Sequence, residues 1–186
     1  MPMLLLAGPA AEPWTVTDLK SFLRVEHDAD DAVIASLLTA ARAQIEASTC
    51  KMLLAQRWRL VLDAWPRDGR ILLRGGPLRA LIAVRTYDER GYTHGLDLDS
   101  FVLDLAGGVI ASPPWALPEP GRAIAGIELD LELGYGTAPD DVPPPLRHAV
   151  RTLAAQWYDN RGGAAGAALL PGGVAAMIAG YRAVAL

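Results

Sequence analysis

The sequence predicts an α+β fold in which an antiparallel β-sheet region is inserted into a small helical bundle. Apolar residues recur with a helical period near the start, with a period of two from about residue 55 to 135, and with a helical period again after residue 140. Because the strands separate two sets of helices, the helices are expected to pack together around the insertion. A length of 186 residues fits one domain, expected over 15–161, with a flexible arm over 1–14 and a linker and terminal helix over 162–186.

The two N-terminal helices are predicted from cap residues and apolar stripes. "TVTDLKSFLRV" predicts a helix over 18–24 with Thr17 as its N-cap, and "HDADDAVIASLLTAARAQIEAS" predicts a helix over 29–49 capped by Asp28. His27 and the carboxylates after it could bind a divalent ion. Capping and the helix dipole already explain these acids, so no metal site is expected.

The β region, expected over 55–135, is clearest in "GIELDLELGYG". Alternation there puts four apolar residues on one face of a half-buried antiparallel strand and three carboxylates, Glu128, Asp130 and Glu132, on the other. This carboxylate row is either a solvated sheet face or an acidic surface that faces a partner. The sequence leaves both interpretations open.

The third long helix is predicted over 145–161, because Pro145 suits a first helical turn and an apolar stripe follows it. Arg147 and Arg151 lie four residues apart and share a face, with Tyr158 further along. Such a face could stack on nucleic acid, but a solvated face or one that forms salt bridges between subunits is favoured in an acidic chain.

The tail over 162–186 carries one charged residue, Arg182. A short helix is expected after Pro171, with one side formed by Val174, Met177, Ile178 and Tyr181. This helix is either the last element of the chain's own core or an exposed apolar anchor for a groove on a partner. The small residues before Pro171 favour the second interpretation.

Composition excludes several classes of function. A formal charge of −4 and a pI near 5.3 argue against nonspecific nucleic-acid binding. Cys50 is the single cysteine, so neither an intramolecular disulfide nor a cysteine-based zinc site is possible, and folding in a reducing cytoplasm is expected. The common phosphate-loop, dinucleotide, HExxH and GxSxG motifs are absent, and no apolar run is long enough for a membrane span. We therefore expect no catalytic residue, cofactor, metal ion or membrane partner.

The order of these elements resembles the head-tail connector (adaptor) proteins of tailed double-stranded DNA phages and gene transfer agents. The resemblance rests on "TVTDLKSFLRVEHDADDAVIASLLTAARAQIEASTCKML", "QRWRLVLDAWP", "LGYG" followed by "DVPPPLRHAVRTLAAQWYDNR", and "LPGGVAAMIAGYR". It covers nearly the whole chain from about Thr15. It implies a structural protein of the particle neck, not an enzyme. About a dozen copies would form a ring below the portal, extend the DNA channel and dock the next neck or tail component.

The resemblance also implies partners and positions. The expected partners are other copies of the chain, the portal protein, a stopper or tail-completion protein, and double-stranded DNA that passes without specific binding. The portal-binding residues would be Leu169, Leu170, Val174, Met177, Ile178 and Tyr181. The residues lining the channel would be Asp30, Asp31, Glu128, Asp130 and Glu132.

Other functions remain open at this point. A stopper or tail-completion protein belongs to the same class and would lack the terminal anchor. A small ligand-binding or enzymatic domain would need a pocket with convergent polar groups, for which the sequence offers no constellation. A DNA-binding regulator would need a basic helix.

Overall fold

The computed structural model describes residues 2–160 and 170–182. It has the predicted α+β fold, and its described residues form two compact units. The sheet unit comprises the described residues of Met1–Gly8 and Ala55–Gly134, and the helical unit comprises those of Pro9–Leu54 and Tyr135–Leu186. The sheet region is therefore inserted between helices, as expected. The expected single domain over 15–161 separates into these units, because the insertion is long enough to bury apolar side chains of its own.

The helical unit is built around one apolar core. Its helices are α1 (Val16–Leu23), α2 (Asp31–Thr49), α3 (Pro144–Asp159) and α4 (Gly172–Ile178). Each helix contributes buried side chains, because each presents apolar residues at a helical spacing. Leu19, Ile34, Ile45, Leu146 and Val150 are all fully buried.

The first two helices begin differently from the prediction. Thr15, not Thr17, is the N-cap of α1: its hydroxyl accepts from the Asp18 amide at 3.1 Å, and the Asp18 carboxylate accepts from the Thr15 amide at 3.0 Å. This reciprocal pair is a capping box, which needs an acidic or amide residue three positions after the cap. At α2 the N-cap position is Asp30, without a side-chain cap bond, while Asp28 lies 2.5 Å from the ammonium of Lys20.

The sheet unit contains two antiparallel sheets. The strands are β1 (Met3–Ala7), β2 (Gln56–Leu62), β3 (Arg70–Leu72), β4 (Leu78–Tyr87), β5 (Thr93–Gly95), β6 (Val102–Asp104), β7 (Val109–Ala111) and β8 (Ile127–Leu133). The five-stranded sheet has the order β1-β2-β8-β4-β5, and the three-stranded sheet has the order β3-β7-β6.

The central strand of the larger sheet is β8, which confirms the alternation predicted for it. It pairs with β2 on one side and β4 on the other. Ile127, Leu129, Leu131 and Leu133 have no exposed surface. Burial of each such side chain contributes about 1.5–3 kcal/mol of transfer free energy, so this strand anchors the sheet.

The segment expected as part of a loose arm forms strand β1 instead. Met3 pairs with Leu60 and Leu5 with Trp58, both on β2. The outer edge of β2 would otherwise carry unpaired backbone groups, and an extended apolar segment can satisfy them. Leu4, Leu5 and Leu6 stay exposed, so β1 is held by its ladder more than by burial.

Candidate interaction surfaces

The carboxylates on the outer face of β8 form a ladder of ion pairs with arginines of β2 and β4. Arg59 donates to both oxygens of Asp130, at 2.7 and 3.1 Å, and Arg85 donates to Asp130 at 2.6 Å. Both guanidinium groups also lie 3.2 Å from Glu128. We call this group, with the pair of Arg79 and Glu132 at 2.7 Å, the charge ladder.

The charges of the ladder lie close to solvent, but each one is held in an ion pair. The side chain of Asp130 is 13% exposed, and that of Glu132 is 28% exposed. Hydrogen bonds from Arg59, followed by those from Arg85, lower the pKa of Asp130 below its ordinary value. The predicted row of carboxylates is thus on one face, as expected, but each member is matched by an arginine that alternation alone did not assign.

Asp30 and Asp31, the other two carboxylates expected at a channel, are engaged within the helical unit. The Tyr158 hydroxyl donates to Asp30 at 2.5 Å, and the ammonium of Lys20 lies 2.8 Å from Asp31. Lys20 is also paired with Asp28, so the acidic "HDADD" segment is tied to α1 by a single lysine. Their position at a channel stays a prediction.

The residues expected to bind a portal lie on or beside α4. Val174 and Ile178 are fully buried in the core of the helical unit. Leu170, Met177 and Tyr181 are partly buried against the same core, while Leu169 lies outside the described residues. In this structure the described part of the tail packs on its own bundle, and its role as an anchor stays a prediction.

A basic and aromatic cluster joins α3 to the segment before α1. The guanidinium of Arg147 lies 4.1 Å from the ring centre of Trp14, and that of Arg151 lies 4.4 Å from the same centre and 4.5 Å from that of Phe22. We call these four residues the arginine–aromatic cluster. The shared face of the two arginines was predicted from their spacing. Tyr158 does not extend it, because that side chain is buried and bonded to Asp30.

The aromatic members of the cluster were missed by sequence reasoning. The Trp14 indole donates to the carbonyl of Arg147 at 2.7 Å, and Arg147 donates to the carbonyl of Pro13 at 3.0 Å. These bonds link residues more than 130 positions apart, a distance that no local pattern spans. The available signal was a tryptophan directly before a helix cap.

Exposed apolar groups in the sheet unit were also missed. Trp115 is 87% exposed and Ile124 is 78% exposed, both in the proline-rich connection between β7 and β8. A tryptophan inside "SPPWALPEP" was the signal for this exposed segment, since prolines keep it out of the sheet.

Within residues 2–160 and 170–182, no group of three or more histidine, cysteine or acidic side chains could hold a metal ion. None of the described helices combines the length and the apolar character needed to cross a membrane.

Comparison with known proteins gives one family and several solved structures. The family described as phage gp6-like head-tail connector protein matches residues 14–94. A chain in the neck of an empty gene transfer agent particle, computed with C6 symmetry, is 30% identical with a TM-score of 0.85. A chain in the virion of a native gene transfer agent is 31% identical with a TM-score of 0.82, and one in a native neck computed with C12 symmetry is 32% identical with a TM-score of 0.76. Each match covers 100% of this chain and 97% of the other. No curated protein matches the chain.

Proposed function

The chain belongs to the phage gp6-like head-tail connector family, and on that premise we propose that it forms a ring beneath the portal of a tailed-phage or gene transfer agent particle. Its role is structural rather than enzymatic, and its place is the particle neck. The observation that carries the proposal is the similarity over the full chain to a protein of such a neck, at a TM-score of 0.85.

The symmetry of the related particles supports the proposed ring. Those necks were computed with C6 and C12 symmetry, and a ring of twelve copies is compatible with both. A closed ring of identical subunits needs head-to-tail contacts, in which two unlike faces of the subunit match each other. The next neck or tail component, a stopper or tail-completion protein, would dock on the ring.

The charge ladder is the proposed wall of the DNA channel, with Asp30 and Asp31 as a second proposed position. Three arginines offset the three carboxylates, so the ladder adds little net charge to the surface that it covers. A wall that neither holds nor strongly repels phosphates would let a duplex slide.

A lysine exchange tests the channel role. Glu132→Lys removes the most exposed carboxylate of the ladder and is expected to slow DNA ejection from particles that still assemble. Glu119→Lys, at an exposed site, makes the same charge change outside the ladder and serves as control. Equal ejection rates for the two variants would show that the charge ladder does not line the channel.

The portal contact is proposed for the tail, with Leu169, Leu170, Val174, Met177, Ile178 and Tyr181 as its residues. Val174 and Ile178 can reach a portal only if α4 leaves its core, because both are fully buried. Met177 and Tyr181 are partly exposed and can contact a partner while α4 stays in place. The contact is therefore made in one of two ways. Either the partly exposed face of α4 binds the portal in place, or α4 leaves its core and its buried side chains pack on the portal instead.

Co-sedimentation with a purified portal ring from the same particle tests this contact. The wild-type chain is expected to bind saturably, and a chain truncated after Gly163 is expected not to bind. Met177→Glu separates lost contact from lost folding, with Ala176→Glu, at an exposed neighbouring position, as its matched control.

The outcomes distinguish the candidate functions. Loss of binding in Met177→Glu alone would assign the partly exposed face of α4 to the portal. Binding by the truncated chain would support the connector role and would show that the tail is an element of the chain's own core, not the portal contact. No binding by any form would favour a stopper or tail-completion protein.

A further inference from the structure

The arginine–aromatic cluster contains a cation that the described residues leave without a carboxylate. Arg147 is paired with Asp140, which is 88% exposed. Arg151 forms no such pair within residues 2–160 and 170–182, and its one polar side-chain contact there is with Nδ1 of His148, at 3.2 Å. Its Nε is buried and has no hydrogen-bond acceptor among the described residues.

The nearest acid on α1 does not complete this site. The Asp18 carboxylate accepts from the amide and the hydroxyl of Thr15, which cap α1. These bonds lower the pKa of Asp18 first, and the positive charges of Arg147 and Arg151 lower it further. Asp18 therefore interacts electrostatically with Arg151, but its hydrogen bonds are made with Thr15. The part-buried guanidinium of Arg151 lies against two aromatic rings and can still donate to one more acceptor.

The cluster also has an accessible approach. Trp14, Asp140, Arg147, His148 and Arg151 line an open cleft of about 340 Å³ on the helical unit. Phe22, whose ring centre lies 4.5 Å from the Arg151 guanidinium, is 45% exposed. A short acidic side chain with apolar neighbours could enter this cleft, pair with Arg151 and cover the ring of Phe22.

We propose that this cleft is a subunit contact of the ring, in which Arg151 receives a carboxylate from a second copy of the chain. The inference rests on the proposed function, since a ring brings every copy against two others. Charge complementarity identifies the occupant: the chain carries 21 acidic and 17 basic residues, and exposed acids such as Glu26 and Glu89 form no ion pair within the described residues. An extended row of DNA phosphates fits less well, because Asp140 and Asp18 flank the arginines.

Photo-crosslinking inside assembled particles tests the proposal. The photoreactive p-benzoylphenylalanine is placed at position 22, where it keeps the phenyl ring beside Arg151, in a tagged chain that is expressed during particle production. The expected product has the mass of two copies, and its crosslinked peptide contains an acidic residue of the second copy. A product with another neck protein or with DNA would overturn the proposal. So would the absence of any product from particles that contain the tagged chain.

Charge reversal gives the second arm. Arg151→Glu is expected to lower recovery of the chain in purified particles about tenfold, the scale of one lost charge-assisted hydrogen bond per contact. Arg67→Glu, at an exposed site of the sheet unit, is the matched control and is expected to assemble normally. Normal recovery of the Arg151→Glu chain would contradict the subunit contact. Absence of the wild-type chain from particles would instead overturn the neck function itself, and the inference with it.

Discussion

Asp130 is the centre of the charge ladder, and its removal gives a prediction whose magnitude follows from the geometry. It accepts three hydrogen bonds from Arg59 and Arg85, and Asp130→Asn replaces one of the two acceptor oxygens with an amide donor and removes the negative charge that both guanidinium groups face. Breaking a fully buried ion pair costs about 3–5 kcal/mol, and solvent at the edge of the ladder reduces this to about 2 kcal/mol. With a urea slope of about 2 kcal/mol per molar, the midpoint for the sheet unit falls by about 1 M.

The assay must report on the sheet unit alone, because the two units need not unfold together. Hydrogen exchange of peptides that cover β2 and β8, followed across a urea series, provides this readout. Glu119→Gln neutralises an exposed carboxylate of the same unit that forms no ion pair within the described residues, and it is expected to leave the midpoint unchanged. A loss in Asp130→Asn no larger than in this control would refute the argument that the ladder stabilises the sheet.

The same variant predicts a pH dependence. The folded pKa of Asp130 lies below its ordinary value, so the stabilisation is present above about pH 4, the unfolded pKa, and is lost as the pH falls through the folded pKa. Asp130→Asn cannot titrate at this position. The difference in unfolding free energy between the two proteins should therefore shrink as the pH falls below about 4. A difference that stays constant as the pH falls would show that the pKa of Asp130 is not lowered in the folded protein.

Three further predictions concern the helical unit. Ile178→Ala should lower its unfolding free energy by about 2–4 kcal/mol, because Ile178 is fully buried; a loss below about 0.5 kcal/mol in thermal unfolding would show that α4 does not pack in solution. Arg42→Ala should cost about 3 kcal/mol in urea unfolding, because it leaves the buried Glu46 carboxylate without its cation at 2.7 Å, and a cost near zero would contradict this pairing. Thr15→Ala should lower the unfolding free energy by about 1 kcal/mol, while Thr17→Ala should leave it almost unchanged. The reverse order would show that Thr17 is the N-cap.

Much of the fold could be predicted from periodicity, and the reasons are local. The run from Ile127 to Leu133 alternates without error, and such a pattern fits only a strand with one buried face. The stripe that includes Ile34 and Ile45 predicted α2 to within two residues at its start and at the same last residue. Both patterns are set by neighbours along the chain.

The remaining features depend on partners that are distant in sequence. Strand β1 forms because it pairs with the edge of β2, which lies more than 50 residues later in the chain. The segment "MLLLA" contains no turn or cap residue from which this strand could be predicted. Alternation put Asp130 on an outer face but could not assign Arg85, which is brought to it by a β4–β8 register containing irregularities. Trp14 reaches Arg147 across 133 positions. Candidate sites made of such pairs become visible only with tertiary structure.

The pairing of β1 with β2 has a consequence for synthesis. The two strands begin at residues 3 and 56, so a ribosome that adds about 5–20 residues per second makes β1 roughly 3–10 s before its partner. During that interval an uncharged strand with three leucines has no ladder to join. The yield of folded protein should therefore depend on how fast the codons for residues 3–62 are translated.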